Sequence, residues 1–507
     1  MFDLSSQSAV LPEETLGDIE DEMFRRYGYH IIDWTVQYLQ TLRDYPVLSQ
    51  VAPGEIRRQL PAHPPVWAEP LEDILTDFKQ IILPGITHWN APGFLAYFAT
   101  NSSGPSLLGE MLANALNANP MLWHTSPAAT ELEQVTLDWV CQLLGLPPLF
   151  GVMFDSSSGA GIISALVAAR EALPDLSIRQ YGLAGRAEVP RLRLYISEET
   201  HMSVERAAIA LGIGLQGVRK IPTDAAFRMD VAALKQVIQQ DRADGWLPLA
   251  VVATIGTTSS SSIDPVADIA DVCEHYHLWL HVDAAYGGAA AVDPDHRWVL
   301  AGCERADSLI LNPYKWLFTG LDGSIFYTRR PEIVKRAFSL TPEYLSNAGE
   351  GKSADGVPNM ADYGLPLGHR FRALKLWMVL RAFGQEGLAA RIHEHCRLAG
   401  LLAQYIDDDP NFERLAPTPL SLVCFRAHPF DMQNEIDLER LNQHLLTILN
   451  AQGHFYLSHT RLKRIFTLRA AITSLRTAEQ DIHALWQALH TCLAQARTEL
   501  AHEEKSC

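Results

Sequence analysis

One lysine of this sequence stands among aromatic residues directly after an apolar run. It is Lys315 in the segment DSLILNPYKWLFTG, between Tyr314 and Trp316. An ammonium group that loses hydration among apolar side chains is shifted toward the neutral amine, which can attack a carbonyl carbon. Most lysines in such segments instead lay their methylene groups on apolar surface and keep their charge in water. Taken alone, the segment favours this second, structural interpretation.

Small polar residues ahead of a helical pattern form a candidate phosphate site. The segment DSSSGAGIISALVAAREA follows the apolar run GVMF, and it places Ser156, Ser157, Ser158 and Gly159 at the predicted helix start. Free backbone N–H groups and the positive end of the helix dipole favour a phosphate there. A solvent-facing capping loop explains the same residues equally well.

Three further strand-like runs end in side chains that could contact an aromatic cofactor. His201 follows RLRLYIS, Thr257 and Thr258 follow PLAVVATIG, and Asp283 ends LWLHVD. Helix capping or a structural ion pair would also explain the histidine and the aspartate. A buried carboxylate at Asp283 needs a cationic partner, because an unpaired buried charge is strongly destabilising.

Together these groups point to one cofactor. Ligands of open α/β sheets bind at the carboxyl ends of the strands. A phosphate cradle, a flat imidazole, a carboxylate for a ring nitrogen and an amine that forms an imine are the partners of pyridoxal 5′-phosphate. We therefore predict this cofactor, with Asp283 stabilising the proton on the pyridine nitrogen and Lys315 holding the cofactor as a Schiff base.

The elements that must position these groups follow from the hydrophobic pattern. Apolar runs alternate with helical patterns in the middle of the chain, which predicts an α/β fold with a mostly parallel sheet and helices on both faces. Residues 20–43 predict an amphipathic helix. We expect an N-terminal helical and extended segment at 1–100, a large cofactor-binding α/β domain at 101–375 and a smaller α+β domain at 376–507.

Composition and charge argue against several classes of protein. The 507 residues are 48% hydrophobic and 20% charged, which is a globular composition. The net charge of -18 argues against a nucleic-acid partner. No apolar run is long enough to cross a bilayer and the N-terminus is acidic, so we expect a cytoplasmic protein without a membrane partner. The seven scattered cysteines contain no CxxC pair, so they indicate neither a disulfide framework nor a metal site.

From about residue 22 to residue 476 the sequence resembles the group II pyridoxal-phosphate decarboxylases of fold type I, closest to the aromatic-L-amino-acid decarboxylases. The motifs that carry the resemblance are PGITHWNAPGFLAYF, SPAATELEQVTLDW, HMSVERA, HVDAAYGG, NPYKW and PLGHRFRALKLW. The resemblance implies a fold-type I transferase architecture with a seven-stranded sheet. It also implies a homodimer, in which the N-terminal segment packs on the partner subunit, and decarboxylation of an aromatic L-amino acid to its amine.

The resemblance gives individual residues a role. Lys315 matches the Schiff-base lysine, Asp283 the acid at the pyridine nitrogen, and His201 the ring stacked on the cofactor. Tyr344 matches the tyrosine of a catalytic loop that reaches the partner's site and goes with decarboxylation rather than oxidative deamination. The other matched cofactor contacts are Ser157, Ser158, Thr258, Ala285 and Asn312, and the matched substrate-pocket residues are Trp89, Tyr97, Thr100 and Gly368.

Two positions bear on the substrate and on the proton transfers. The family usually has histidine immediately before the lysine, where this chain has Tyr314, and a phenol has a much higher pKa than an imidazole. Gly368 goes with indole substrates in plant relatives, which favours tryptophan over phenylalanine, tyrosine or dopa. The competing functions are an aromatic aldehyde synthase, an acidic-amino-acid decarboxylase, which would need an extra cation, and a non-catalytic scaffold of the same fold.

Overall fold

The computed structural model of the chain describes residues 17–154, 158–340 and 358–506. Two compact units are present: residues up to Tyr45 with Ser49–Ile86, and Pro46–Leu48 with the chain from Thr87 onward. None of the described helices combines the length and the apolarity that a bilayer crossing needs. All described residues of the predicted cofactor site belong to the second unit.

The described α-helices of the first unit are α1 (Asp21–Gln40), α2 (Glu55–Gln59) and α3 (Leu71–Asp77), which the π-helix Phe78–Ile82 continues. Helix α1 coincides with the predicted amphipathic helix. Within the unit, Trp34 stacks on Tyr38 with 5.2 Å between ring centroids and meets Phe78 edge-on at 5.2 Å. Other large apolar side chains of α1, such as Phe24, are exposed in the single chain.

The second unit is built on a seven-stranded sheet. Its strands are β1 (Phe150–Phe154), β2 (Arg191–Ser197), β3 (Val218–Ile221), β4 (Trp246–Thr254), β5 (Trp279–Asp283), β6 (Ser308–Leu311) and β7 (Ser324–Thr328). They are ordered β1-β7-β6-β5-β4-β2-β3 across the sheet. The prediction of a mostly parallel α/β sheet is therefore confirmed.

Strand β7 is the exception to the parallel arrangement, because it runs antiparallel to both β6 and β1. The connection from β6 to β7 contains only the four-residue helix Pro313–Trp316. A parallel neighbour would need a crossover that returns the chain to the opposite end of the strand, usually through a longer helix than this one. This short connection carries Lys315, so the lysine stays close to the end of β6.

Helices cover both faces of the sheet, and alternate residues of a strand point to opposite faces. Val251 of β4 packs in the same core cluster as Leu234 and Ile269, whereas its neighbour Val252 packs with Ile162. The helices of this region are α4 (Gly104–Leu116), α5 (Pro127–Leu143), α6 (Ser158–Glu171), α7 (Ile178–Tyr181), α8 (Ser203–Ala210), α9 (Val231–Ala243), α10 (Val266–Tyr276), α11 (Pro313–Trp316) and α12 (Pro331–Phe338).

The C-terminal part of the chain adds a four-stranded antiparallel sheet. Its strands β8 (Phe412–Arg414), β9 (Leu422–Ala427), β10 (Ser458–Leu462) and β11 (Ile465–Ala471) are ordered β10-β11-β9-β8. The accompanying helices are α13 (Ala373–Asp408), which bends at Gly384, α14 (Glu435–Ala451) and α15 (Glu479–Ser506). Apolar residues of these helices and strands share one core cluster, so this part of the chain is α+β, as predicted.

Candidate active site

The carboxyl ends of the parallel strands meet at one cavity of about 630 Å³. Strand β5 ends at Asp283, β6 leads into the helix that carries Lys315, and His201 follows β2. Most of the residues expected at the cofactor and substrate site line this cavity: Trp89, Tyr97, Thr100, Ser158, His201, Thr258, Asp283, Ala285, Asn312, Tyr314 and Lys315.

Three expected residues are not part of this arrangement. Ser157 and Tyr344 lie outside the described residues. Gly368 is not among the residues that line the cavity, and no atom lies within 4 Å of the place where a Cβ would be added to it.

Lys315 lies on the short helix after β6 and lines the cavity. Its Nζ lies 5.7 Å from the centre of the Phe98 ring. Burial lowers the pKa of Lys315 from its ordinary value, and the negative charge of Asp283 partly opposes this shift. Desolvation thus raises the fraction of neutral amine, which is the nucleophilic form.

Asp283 is a buried carboxylate that forms no ion pair within 4 Å among the described residues. Its side chain is 5% exposed, and Oδ1 accepts a hydrogen bond from the backbone N–H of Ala285 at 3.1 Å. Across residues 17–154, 158–340 and 358–506, no lysine, arginine or histidine nitrogen forms an ion pair with it. A carboxylate in this state is stabilised by any cationic group that enters the cavity.

His201 presents a neutral imidazole to the same cavity. Its Nδ1 accepts from the backbone N–H of Ser203 at 3.3 Å and lies 2.8 Å from the Ser203 hydroxyl, so the neutral ring carries its proton on Nε2. Partial burial lowers the pKa of His201, and Asp283 acts in the opposite direction. An uncharged flat ring is suited to stacking on another aromatic ring.

At the start of α6, three buried side chains form a cluster of hydrogen-bond donors. Asn312 Nδ2 donates to Ser158 Oγ at 2.7 Å and to the Tyr314 hydroxyl at 2.8 Å. Asn312 Oδ1 is buried and has no hydrogen-bond partner. Because both hydroxyls accept from the amide, their own protons remain available for a third group.

Sequence reasoning missed two polar residues of this region, Arg469 on β11 and Asn101 after the loop that carries Tyr97. Arg469 is 4% exposed and lines the cavity. It donates to the carbonyl oxygens of Ala96, Thr258 and Ser259 and to the Ser458 hydroxyl. A charged residue inside the apolar strand pattern IFTLRAA was the one available signal for Arg469.

A second group of ionisable side chains lies outside this cavity. Asp293, Asp295 and His393 each place one ligand-type atom within 4.8 Å of the others. Asp293 Oδ2 lies 2.8 Å from Nδ1 of His296 and 3.2 Å from Nδ1 of His393. The carboxylate and the imidazoles therefore satisfy one another by hydrogen bonds.

The comparison with protein families decides the assignment. Residues 53–428 match the model of the pyridoxal-dependent decarboxylase conserved domain. The chain belongs to the pyridoxal-dependent decarboxylase family. It is accordingly an enzyme, a carboxy-lyase of the aromatic-L-amino-acid decarboxylase type, and its cofactor is pyridoxal 5′-phosphate.

Individual relatives of the decarboxylase agree with this assignment. Tryptophan decarboxylase TDC2 of Camptotheca acuminata is 37% identical over 92% of this chain and 94% of its own length. Phenylacetaldehyde synthase of Arabidopsis thaliana is 37% identical over 94% of this chain and 96% of its own. The crystal structure of Oryza sativa TDC with PLP and tryptamine superposes with a TM-score of 0.89 at 33% identity, covering 95% of this chain and 99% of that one.

The groups in the cavity of this decarboxylase fit the cofactor. Pyridoxal phosphate offers a carbonyl carbon for an amine, a ring nitrogen whose protonated form needs an anion, and a phosphate that only accepts hydrogen bonds. The cavity supplies the desolvated amine of Lys315, the unpaired carboxylate of Asp283 and the hydroxyl protons of Ser158 and Tyr314. Each chemical requirement has a partner on this chain.

Proposed function

We propose that this decarboxylase removes carbon dioxide from an aromatic L-amino acid and releases the corresponding amine. The observation that carries the proposal is an aromatic wall in the same cavity as Lys315 and Asp283. Trp89 and Tyr97 both line the cavity, with 5.8 Å between their ring centroids and 22° between the ring planes. Two nearly parallel rings favour a flat apolar side chain over a short or charged one.

Arg469 is suited to bind the carboxylate of the substrate. Its guanidinium has five N–H groups, of which the four hydrogen bonds described above leave one free on Nη2. None of the carboxylates in residues 17–154, 158–340 and 358–506 forms an ion pair with it. The Arg469 guanidinium carbon and Lys315 Nζ lie 5.9 Å and 5.7 Å from the centre of the same Phe98 ring, and both residues line the cavity.

The side chains divide the work of the reaction among them. Bound pyridoxal phosphate supplies the electron sink for the bond to the leaving carboxylate. Lys315 would hold the cofactor covalently through its amine, and Asp283 would keep the proton on the pyridine nitrogen. His201 would offer the ring a flat, uncharged surface. Arg469 orients the carboxylate of the amino acid until carbon dioxide leaves.

Among aromatic substrates we expect tryptophan to be preferred. The names of several relatives, including the one from Camptotheca acuminata, support this expectation, as does glycine at position 368. Gly368 does not line the cavity formed by the single chain, so its influence would have to act through another subunit or through the substrate-bound arrangement.

We also expect a homodimer. Helix α4 presents a continuous apolar row to solvent in the single chain, consisting of Leu108, Met111, Leu112 and Leu116, which are between 49% and 64% exposed. Burying such a row against a second copy would be favourable by the hydrophobic effect. Sedimentation equilibrium should show a dimer at micromolar concentration, and a fully active monomer would exclude it.

The substrate class is tested by measuring kcat/KM for a panel of amino acids with the purified, cofactor-loaded enzyme. The panel contains tryptophan, phenylalanine, tyrosine and dopa, with glutamate and aspartate as the acidic comparison. We expect the aromatic substrates to exceed the acidic ones by at least about a hundredfold, since a charged side chain has no partner on the aromatic wall. Preference for glutamate or aspartate would contradict the proposal, and protein that stays colourless with added cofactor would revive the scaffold alternative.

A further inference from the structure

Tyr314 distinguishes this chain from the histidine usual in the decarboxylases it resembles. Its side chain is 5% exposed, and its hydroxyl lies 2.8 Å from Asn312 Nδ2. The same nitrogen lies 2.7 Å from Ser158 Oγ. The phenol therefore belongs to the polar cluster at the start of α6, although its backbone is adjacent to Lys315.

The hydrogen bonds of this cluster leave a donor without an acceptor. The Tyr314 hydroxyl accepts from Asn312, and no other hydrogen bond to it exists in the described parts of the chain. Its own proton is thus not used by any described group, and Tyr314 lines the cavity. A buried hydroxyl donor without a partner is costly, and an acceptor that enters the cavity removes this cost.

Three properties of the location make an anion the fitting acceptor. Helix α6 begins at Ser158 and runs for 14 residues, so the positive end of its dipole faces the cluster. Ser158 provides a second hydroxyl proton that no described group accepts. Burial, together with the charges of Asp283 and Asp322, raises the pKa of Tyr314 well above that of an ordinary phenol, so the hydroxyl stays protonated.

We propose that Tyr314 donates a hydrogen bond to the phosphate of the cofactor and does not deliver the proton to the substrate carbon. Asn312 holds the phenol beside Ser158, at the helix start that favours phosphate. This role differs from that of the usual histidine, because a phenol that stays neutral takes the place of an imidazole that can gain a proton. The phosphate therefore accepts a hydrogen bond from a donor whose protonation does not change between pH 6 and pH 8.

The direct test compares two ligands that differ only in the phosphate. Apoenzyme is titrated with pyridoxal phosphate and with pyridoxal, following absorbance, for wild type and for Tyr314→Phe. A hydrogen bond to a charged group contributes about 1.5–3 kcal/mol, so we expect the Kd of pyridoxal phosphate to rise by about tenfold or more. The Kd of pyridoxal should change by less than about twofold.

Tyr327→Phe provides the matched control. Tyr327 is also a buried phenol, but its hydroxyl donates to the carbonyl of Leu137 and it does not line the cavity. This variant should bind both ligands as wild type does. Equal weakening of both ligands by Tyr314→Phe, or no weakening of either, would overturn the proposal.

Tyr314→His keeps the test decisive if the phenylalanine variant fails to fold. An imidazole that donates to the phosphate is stabilised in its charged form by that anion, so its phosphate affinity relative to wild type should increase several-fold from pH 8 to pH 6. Measuring variant against wild type at each pH cancels the titration of the phosphate itself. A ratio between the two proteins that is independent of pH would overturn the proposal.

Discussion

The side-chain amide of Asn101 donates a hydrogen bond of 3.0 Å to the backbone carbonyl of Lys315. The same amide donates to the carbonyl of Thr473 at 2.7 Å and accepts from the backbone N–H of Leu475 at 3.0 Å. Asn101 itself is 1% exposed. One side chain thereby ties the lysine that meets the cofactor to the segment after β11, far away in the sequence.

Removing the hydrogen bonds of the Asn101 side chain should destabilise the protein and make the position of Lys315 less fixed. Asn101→Ala removes the amide hydrogen bonds to the carbonyls of Lys315 and Thr473, the longer one to Ala99, and the acceptor of the Leu475 N–H, so we expect the free energy of unfolding to fall by about 3 kcal/mol. Asn101→Asp, which has the same shape, should be worse because its oxygens face carbonyl oxygens. Urea unfolding measures the loss, and titration of the absorbance of the Lys315-bound cofactor reports the lysine. Wild-type values in both measurements for Asn101→Ala would contradict this role.

Asp283→Asn should separate stability from activity. The substitution removes a buried charge that no described cation pairs with, and its amide oxygen can still accept from Ala285. We expect the apoenzyme to be at least as stable as wild type, since the cost of burying the charge outweighs its attraction to the Lys315 amine, whose own charge burial disfavours. Turnover should fall at least about a hundredfold, because an amide cannot hold the ring proton. A less stable apoenzyme with activity within a few-fold of wild type would exclude the assignment.

Acid should weaken the fold through two buried histidines. Burial lowers the pKa of His281 to about 3 and that of His395 to about 4, so both are neutral in the folded protein near pH 6. The unfolded chain binds these protons from about pH 6.5 downward, so the stabilisation is complete above pH 6.5 and is lost as pH falls toward 4. Asp264, whose pKa burial raises to about 6, acts in the opposite direction as pH rises.

His395→Gln isolates one of these contributions. His395 accepts from the indole N–H of Trp316 at 2.9 Å and bonds to the carbonyl of Ser474 at 3.1 Å, and an amide can replace both bonds. Urea midpoints measured between pH 7 and pH 4.5 should fall less steeply in the variant than in wild type. Identical slopes would show that His395 does not titrate on unfolding in this range.

Tyr344→Phe should change the product rather than stop the reaction. The expectation comes from the resemblance alone, because Tyr344 lies outside the described residues. In the decarboxylases that the sequence resembles, a loop phenol protonates the substrate carbon. Its removal should keep carbon dioxide release and let dioxygen act as oxidant, with water supplying the aldehyde oxygen, so that the product shifts toward aldehyde, ammonia and hydrogen peroxide. If Tyr314 took over the protonation, Tyr344→Phe would still make amine and only the double variant with Tyr314→His would lose it.

The local part of the site was predictable from sequence, and the long-range part was not. His201, Asp283 and Lys315 follow apolar runs, and the carboxyl ends of parallel strands necessarily meet at one edge of the sheet. Arg469 and Asn101 gave little signal, because their partners Thr258 and Thr473 lie some 200 and 370 residues away in the chain. The antiparallel course of β7 also goes with a connection whose one α-helix has only four residues, which the pattern of apolar residues does not show.

The central claim is tested most directly by the product stoichiometry with L-tryptophan. Carbon dioxide, tryptamine and hydrogen peroxide are measured together in one reaction of the purified, cofactor-loaded enzyme under air. The account predicts one tryptamine for each carbon dioxide and no more than trace peroxide. Peroxide and aldehyde formed in proportion to carbon dioxide, or the absence of carbon dioxide release from every aromatic amino acid, would contradict it.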